Sequence, residues 1–167
     1  FTIRIPLTLA IIDGFVTDKR DWSDFTPRAA FKYQVTDEIA VYGNVARGYK
    51  SGGFTALSVN PSNAFYDPEY VTNYELGVKS DIELAERPLR VNAAIYYSDY
   101  EDMQRSSAES FNGAFGLATF NSGKSEITEF EMDFILLLTE RWRFSGNYSY
   151  ADGEFTEFLV TRSSMTP

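Results

Sequence analysis

The sequence predicts an all-β fold: antiparallel, up-and-down strands forming a segment of a transmembrane β-barrel, an incomplete barrel of about seven strands. Three observations lead there. Apolar and polar side chains alternate with a period of two over one segment after another, as in strands with one greasy and one polar face. Short and long polar connections also alternate, as they do when tight turns lie on one rim of a barrel and long loops on the other. Aromatic residues make up 16% of the 167 residues, with 14 Phe and 11 Tyr against 3 Met, a balance that favours strands.

Taken in order, Thr2 to Ile12 is the least regular segment, because Ile5-Pro6-Leu7 and Ile11-Ile12-Asp13 interrupt its alternation. A polar link from Asp13 to Asp24 precedes Phe25 to Val35. There Phe25, Pro27, Ala29, Phe31, Tyr33 and Val35 oppose Thr26, Arg28, Ala30, Lys32 and Gln34. Thr36-Asp37-Glu38 is a tight turn. Ile39 to Tyr49 alternates more weakly, with Ile39, Val41 and Val45 against Tyr42 and Asn44, and a long link, Lys50 to Glu69, follows it. Tyr70 to Ile82 is the clearest strand: Tyr70, Thr72, Tyr74, Leu76, Val78, Ser80 and Ile82 oppose Val71, Asn73, Glu75, Gly77, Lys79 and Asp81.

After a somewhat longer turn, Ile82 to Pro88, the strand from Leu89 sets Val91, Ala93, Ile95 and Tyr97 against Arg90, Asn92, Ala94 and Tyr96. Ser106 to Gly116 is a third long polar link. Glu126 to Leu138 pairs Phe130, Met132, Phe134 and Leu136 with Glu129, Glu131 and Asp133 until Ile135-Leu136-Leu137-Leu138 blurs the pattern. Beyond the turn Thr139-Glu140-Arg141, Trp142, Phe144, Gly146, Tyr148 and Tyr150 share one face. Rings lie at both ends of this stretch with a small residue between, the spacing of two interfacial girdles.

Composition excludes several classes of function. No run approaches the roughly 20 apolar residues of a membrane-spanning helix. The mean hydropathy of -0.27 resembles that of a soluble protein, but a transmembrane strand hides its apolar residues at every second position. Cysteine and histidine are both absent, which removes disulfides, thiolate metal sites, the commonest metal ligand and the commonest general base. No Gly-x-Ser-x-Gly elbow is present, so neither an enzyme nor a bound cofactor or metal is expected. A net charge of -9 argues against a nucleic-acid partner. An open sheet in hydrocarbon would expose unpaired edges, so these strands read as part of a larger wall of roughly 22 strands. The start at Phe1, without Met or a secretory signal, reads as an internal piece of a longer precursor.

The run Ala46-Arg47-Gly48-Tyr49-Lys50-Ser51-Gly52-Gly53-Phe54, followed by Asn73-Tyr74-Glu75-Leu76-Gly77-Val78-Lys79, resembles the barrel of TonB-dependent receptors. Tyr66-Asp67-Pro68-Glu69, then Ala94 to Gln104, Asn121 to Glu126 with Phe130-Glu131, and Tyr148 to Phe155 match in the same order. The likeness runs from about Ser23 to Phe158 and points to the C-terminal half of the barrel. Glu129 stands where the family usually has Gly, and residues 1–22 and 159–167 fit poorly. The resemblance implies a multi-pass barrel in the Gram-negative outer membrane that takes up a scarce nutrient, most often a ferric siderophore. It further implies a lipid bilayer around the wall, and a TonB complex acting through a plug. Residues 1–167 would then all be barrel, with the plug, the TonB-contacting box and the terminal aromatic strand outside them.

Candidate site residues follow. Tyr49, Lys50, Phe54, Phe65 and Tyr66 lie in or beside the longest outer loop. Aromatic faces and a cation there suit an anionic chelate, the plainer alternative being loop packing and girdle anchoring. Gly52 and Gly53 are expected to supply positive φ. Glu129, Glu131 and Asp133, and separately Asp99, Glu101 and Asp102, could serve acid/base chemistry or hold calcium. The plainer reading makes the first set lumen charges, with Glu75, balanced by Arg28, Lys32, Lys79, Arg90 and Arg143. Tyr74, Leu76, Val78, Phe134 and Phe144 are expected to face lipid. In a soluble ligand-binding module, lipocalin-like or carbohydrate-binding, the faces would invert and these residues would be core. A passive porin would keep the wall and lack the plug.

Overall fold

The computed structural model describes residues 19–158, and the segment Thr2 to Ile12 lies outside them. The strands in chain order are β1 (Arg28–Gln34), β2 (Ile39–Lys50), β3 (Gly53–Phe54), β4 (Phe65–Tyr66), β5 (Glu69–Leu84) and β6 (Arg87–Glu101). β7 (Gln104–Phe111), β8 (Ala114–Asn121), β9 (Gly123–Thr139) and β10 (Trp142–Phe158) complete the set. One 3-10 turn, Pro61–Asn63, is the only helical element among the described residues.

Six strands form one antiparallel sheet in the order β1-β2-β5-β6-β9-β10. Each neighbours the next long strand along the chain, so the topology is up-and-down, and among the described residues the wall is open at β1 and β10. The period-two segments of the sequence are these six strands. The wall strands β5, β6, β9 and β10 run for 16, 15, 17 and 17 residues. That exceeds the roughly 9–11 residues a tilted strand needs to cross a bilayer.

The short turns lie together at one end of the wall. Two share a device: the Thr36 hydroxyl accepts from the backbone N–H of Glu38 and Ile39, and the Thr139 hydroxyl from those of Arg141 and Trp142. The third turn is tighter than the sequence suggests. β5 and β6 continue to Leu84 and from Arg87, which leaves a two-residue turn, Ala85-Glu86, with φ of 50° and 61°.

The long connections fold as well. The Ser106 to Gly116 link is an antiparallel ribbon, β7–β8, turning at Asn112-Gly113 with φ of 50° and 80°. Asn-Gly is the dipeptide a type I′ hairpin turn prefers. The ribbon has no consistently apolar face, so alternation did not reveal it. In the other link, β3 pairs with β4.

The interior is sparse. The buried apolar residues are Ala40, Val59, Ala64, Ala94 and Ala118, and three of these lie in the long connections rather than the wall. No large ring or branched chain of the wall is fully buried. On one face glycines serve as seats for rings: a Cβ at Gly43 would lie 2.7 Å from the Phe31 ring, and one at Gly146 equally close to Phe134.

Candidate ligand-binding rim and the two faces of the wall

Register across the sheet sorts the side chains into two sets. Phe31, Gly43, Leu76, Ile95, Phe130 and Tyr150 form one continuous row, and Tyr33, Val41, Val78, Ala93, Met132 and Tyr148 the next. Tyr74, Phe134 and Phe144 share this face. It stays open to the surroundings: Phe31 is 57% exposed, Leu76 55%, Phe144 48% and Tyr150 55%.

The reverse face is polar. Arg28, Lys32, Glu75, Lys79, Arg90, Glu129, Glu131, Asp133 and Arg143 all fall on it by register. Asn44 donates a hydrogen bond to Glu75, Asn92 donates to Asp133 over 3.0 Å, and the Tyr96 hydroxyl lies 3.4 Å from Glu131. Lys79 sits 5.4 Å above the Tyr42 ring, and Arg90 pairs with Asp81. These groups surround a concavity of about 510 Å³ lined by Tyr42, Lys79, Asn92, Glu131, Asp133 and Ser149. Asp99 and Glu101 fall on the opposite, apolar face beyond its rings. No three carboxylates among the described residues are placed to hold a metal ion.

Beyond the long end of the wall, the two large connections lock together. The central group is Glu109 on β7. One carboxylate oxygen accepts from the Ser58 hydroxyl at 2.5 Å and the backbone N–H of Val59 and Asn60 at 2.7 and 3.3 Å. The other accepts from the Asn63 amide at 2.8 Å. Burial pushes the Glu109 carboxyl up, but the bonds from Ser58, Asn63, Asn60 and Val59 together outweigh it and hold the carboxyl below its ordinary value. Leu117 donates its N–H to the Leu57 carbonyl, and Thr119 donates its N–H to the Thr55 hydroxyl. Asn121 exchanges two bonds with the Asp67 backbone and donates to the Asp102 carbonyl. Gln104 reaches Ser51 and Asp67.

The residues expected to line the rim divide between these surroundings. Phe54 and Phe65 oppose each other in the β3–β4 pair, with ring centroids 5.0 Å apart, and Tyr66 stands beside them. Trp22 meets Phe54 edge-on at 6.0 Å, and the Arg20 guanidinium lies 4.3 Å from the Phe65 ring centroid. Lys50 pairs with Glu69 at 3.7 Å. Tyr49 is separate: it shares the face of Val41 and Val45, its ring lies tilted 5.8 Å from that of Tyr70, and its hydroxyl is buried without a hydrogen-bond partner. Gly52 and Gly53 do not have positive φ. They are small because Tyr66 and Trp22 press on Gly52, and the Tyr66 ring on Gly53.

Arg20, Trp22, Ser58 and Glu109 escaped the sequence reading. Their partners are distant in sequence, and a single glutamate in a polar ribbon carries no local signal. Asn60-Pro61-Ser62 was the one hint, since an Asn before Pro starts a turn; here the Asn60 side chain accepts from the Ser62 N–H.

Comparison with known proteins agrees with this architecture. The family model for "TonB dependent receptor-like, beta-barrel" matches residues 8–164. The chain is 29% identical over 132 residues to the metal-pseudopaline receptor CntO of Pseudomonas aeruginosa, covering 79% of this chain and 17% of that protein. It is 32% identical over 120 residues to the pesticin receptor of Yersinia enterocolitica, covering 71% and 16%. It is 27% identical over 143 residues to the probable TonB-dependent siderophore receptor PiuA of Acinetobacter baumannii, covering 81% and 18%. The crystal structure of the ferric yersiniabactin uptake receptor FyuA from Yersinia pestis superposes with a TM-score of 0.60 at 26% identity, over 77% of this chain and 18% of that one. The chain thus spans under a fifth of the length of each of these relatives. Its wall of paired strands and its matched residues place it in the β-barrel family of the TonB-dependent receptors.

Proposed function

We propose that this segment supplies wall, lumen surface and outer rim to a receptor that takes up a ferric siderophore or a similar metal chelate across the Gram-negative outer membrane. The observation that carries this is the pairing of two unlike open faces with no core between them. Tyr74, Leu76, Val78, Phe134 and Phe144 meet hydrocarbon. Glu75, Lys79, Glu129, Glu131 and Asp133 meet the water-filled or plug-filled lumen, where charge is tolerated. In a soluble module Leu76 and Phe144 would be buried, and here they are half exposed. The named relatives, receptors for metal and siderophore ligands, support the cargo class. Energy would come from a TonB complex acting through a plug.

The test uses the full-length receptor. Leu76→Arg or Phe134→Arg puts a charge at mid-bilayer at a cost of roughly 2–4 kcal/mol, so assembled receptor in the outer membrane should fall sharply. Asp133→Asn on the other face should assemble normally. Equal assembly of all three variants would count against this assignment of the faces. Uptake of a radiolabelled ferric chelate that survives loss of TonB would leave a passive pore.

A further inference from the structure

Eight asparagines occur in the sequence, and Asn112 alone precedes a glycine. The Asn112-Gly113 turn closes the β7–β8 ribbon, with Phe111 paired to Ala114 directly behind it. Both turn residues are exposed and left-handed, with φ of 50° and 80°. A Cβ built on Gly113 would meet no atom within 4 Å, so the turn stands clear of its surroundings. The Asn112 amide has no hydrogen-bond partner among the described residues.

Every other asparagine lacks at least one of these conditions. Asn60 precedes Pro61, whose nitrogen carries no hydrogen. The amides of Asn63 and Asn121 are engaged, the first by Glu109 and the second by the Asp67 and Asp102 carbonyls. Asn44, Asn73 and Asn92 donate theirs across the wall to Glu75, Ser98 and Asp133. Asn147 lies within β10, before the large side chain of Tyr148.

An asparagine carboxamide and the next backbone nitrogen can close a five-membered ring, and a glycine in the next position puts no side chain in the way. The Gly113 nitrogen gives up its proton and bonds to Asn112 Cγ, the Cγ–Nδ2 bond breaks, and ammonia leaves with that proton. Water then opens the succinimide. Attack at Cγ gives aspartate, and attack at the main-chain carbonyl gives isoaspartate. We infer that Asn112 is a selective site of spontaneous deamidation at the tip of the β7–β8 ribbon. Both products add a carboxylate. Isoaspartate also routes the main chain through Cγ, one methylene more in a two-residue turn that has no slack. Fraying from the tip stops at Glu109, whose hydrogen bonds hold the ribbon to the Ser58–Asn63 segment.

The experiment incubates the full-length receptor in detergent at mildly alkaline pH, beside a synthetic peptide spanning Ser110 to Phe115. Peptide mass spectrometry then follows each asparagine. Asn112 should gain about 1 Da, as the peptide does, while the other asparagines stay intact. Asn112→Gly keeps a turn that tolerates positive φ and should show no such gain. In the aged receptor, amide exchange should quicken over residues 110–115 and stay slow at Val59. An intact Asn112 under conditions that convert the peptide overturns the proposal, since the folded turn would then protect it. Equal conversion at Asn63 or Asn121 overturns its selectivity. Quickened exchange at Val59 overturns the confinement by Glu109.

Discussion

Glu109 shows how one side chain can join two loops. It accepts four hydrogen bonds from the Ser58 to Asn63 segment, and Ser58 is 1% exposed. Removing the carboxylate strands buried donors, each costing roughly 1–3 kcal/mol. Glu109→Ala should therefore loosen residues 55–66, seen as faster amide exchange there with the wall unchanged. The pH dependence has a definite sign. The folded carboxyl titrates below its ordinary 4.5, so the latch is at full strength above that value and is lost as pH falls through the depressed folded value. Exchange in this segment that does not quicken on acidification in wild type, or that quickens equally in Glu109→Gln, would count against the latch. None of this was legible in the sequence. Phe54, Phe65 and Tyr66 could be picked out as aromatics beside a cation, but what holds them depends on contacts some 50 residues away.

The six wall strands were legible because one apolar and one polar face impose a period of two, which Leu76, Phe134 and Tyr148 keep. β7 and β8 were not, because no face of that ribbon is consistently apolar and its partners are distant in sequence. Turn chemistry would have helped more than hydropathy. Asn112-Gly113 marks the hairpin that alternation missed, whereas Ala85-Glu86 occupies the same positive-φ geometry with residues that resist it. Left-handed backbone costs a residue with a Cβ roughly 1–2 kcal/mol. Replacing Ala85-Glu86 by Asn-Gly should stabilise the β5–β6 hairpin by about 1 kcal/mol, measurable as a shift in the urea midpoint of refolding into detergent. No shift, or a lower midpoint, would mean that the turn is held by contacts other than its own backbone preference.

Among the described residues, the molecule is a sheet with two open edges, a crown of packed connections at one end and three tight turns at the other. On the proposed placement, its solvents would do the work that a core does elsewhere. Moved from detergent or bilayer into plain buffer, the segment should lose its ordered sheet or associate, which sedimentation and circular dichroism would show. A monodisperse, strand-rich monomer in buffer would count against a lipid-facing wall.

The scarcity of buried side chains in this wall has a consequence for biogenesis. A newly made chain with Phe31, Leu76, Phe144 and Tyr150 on offer has no refuge for them in an aqueous compartment, and its unpaired strand edges invite cross-chain pairing. On the placement proposed above, such a polypeptide would need an escort that shields its rings during transit, and would reach its final shape only when the membrane takes them over.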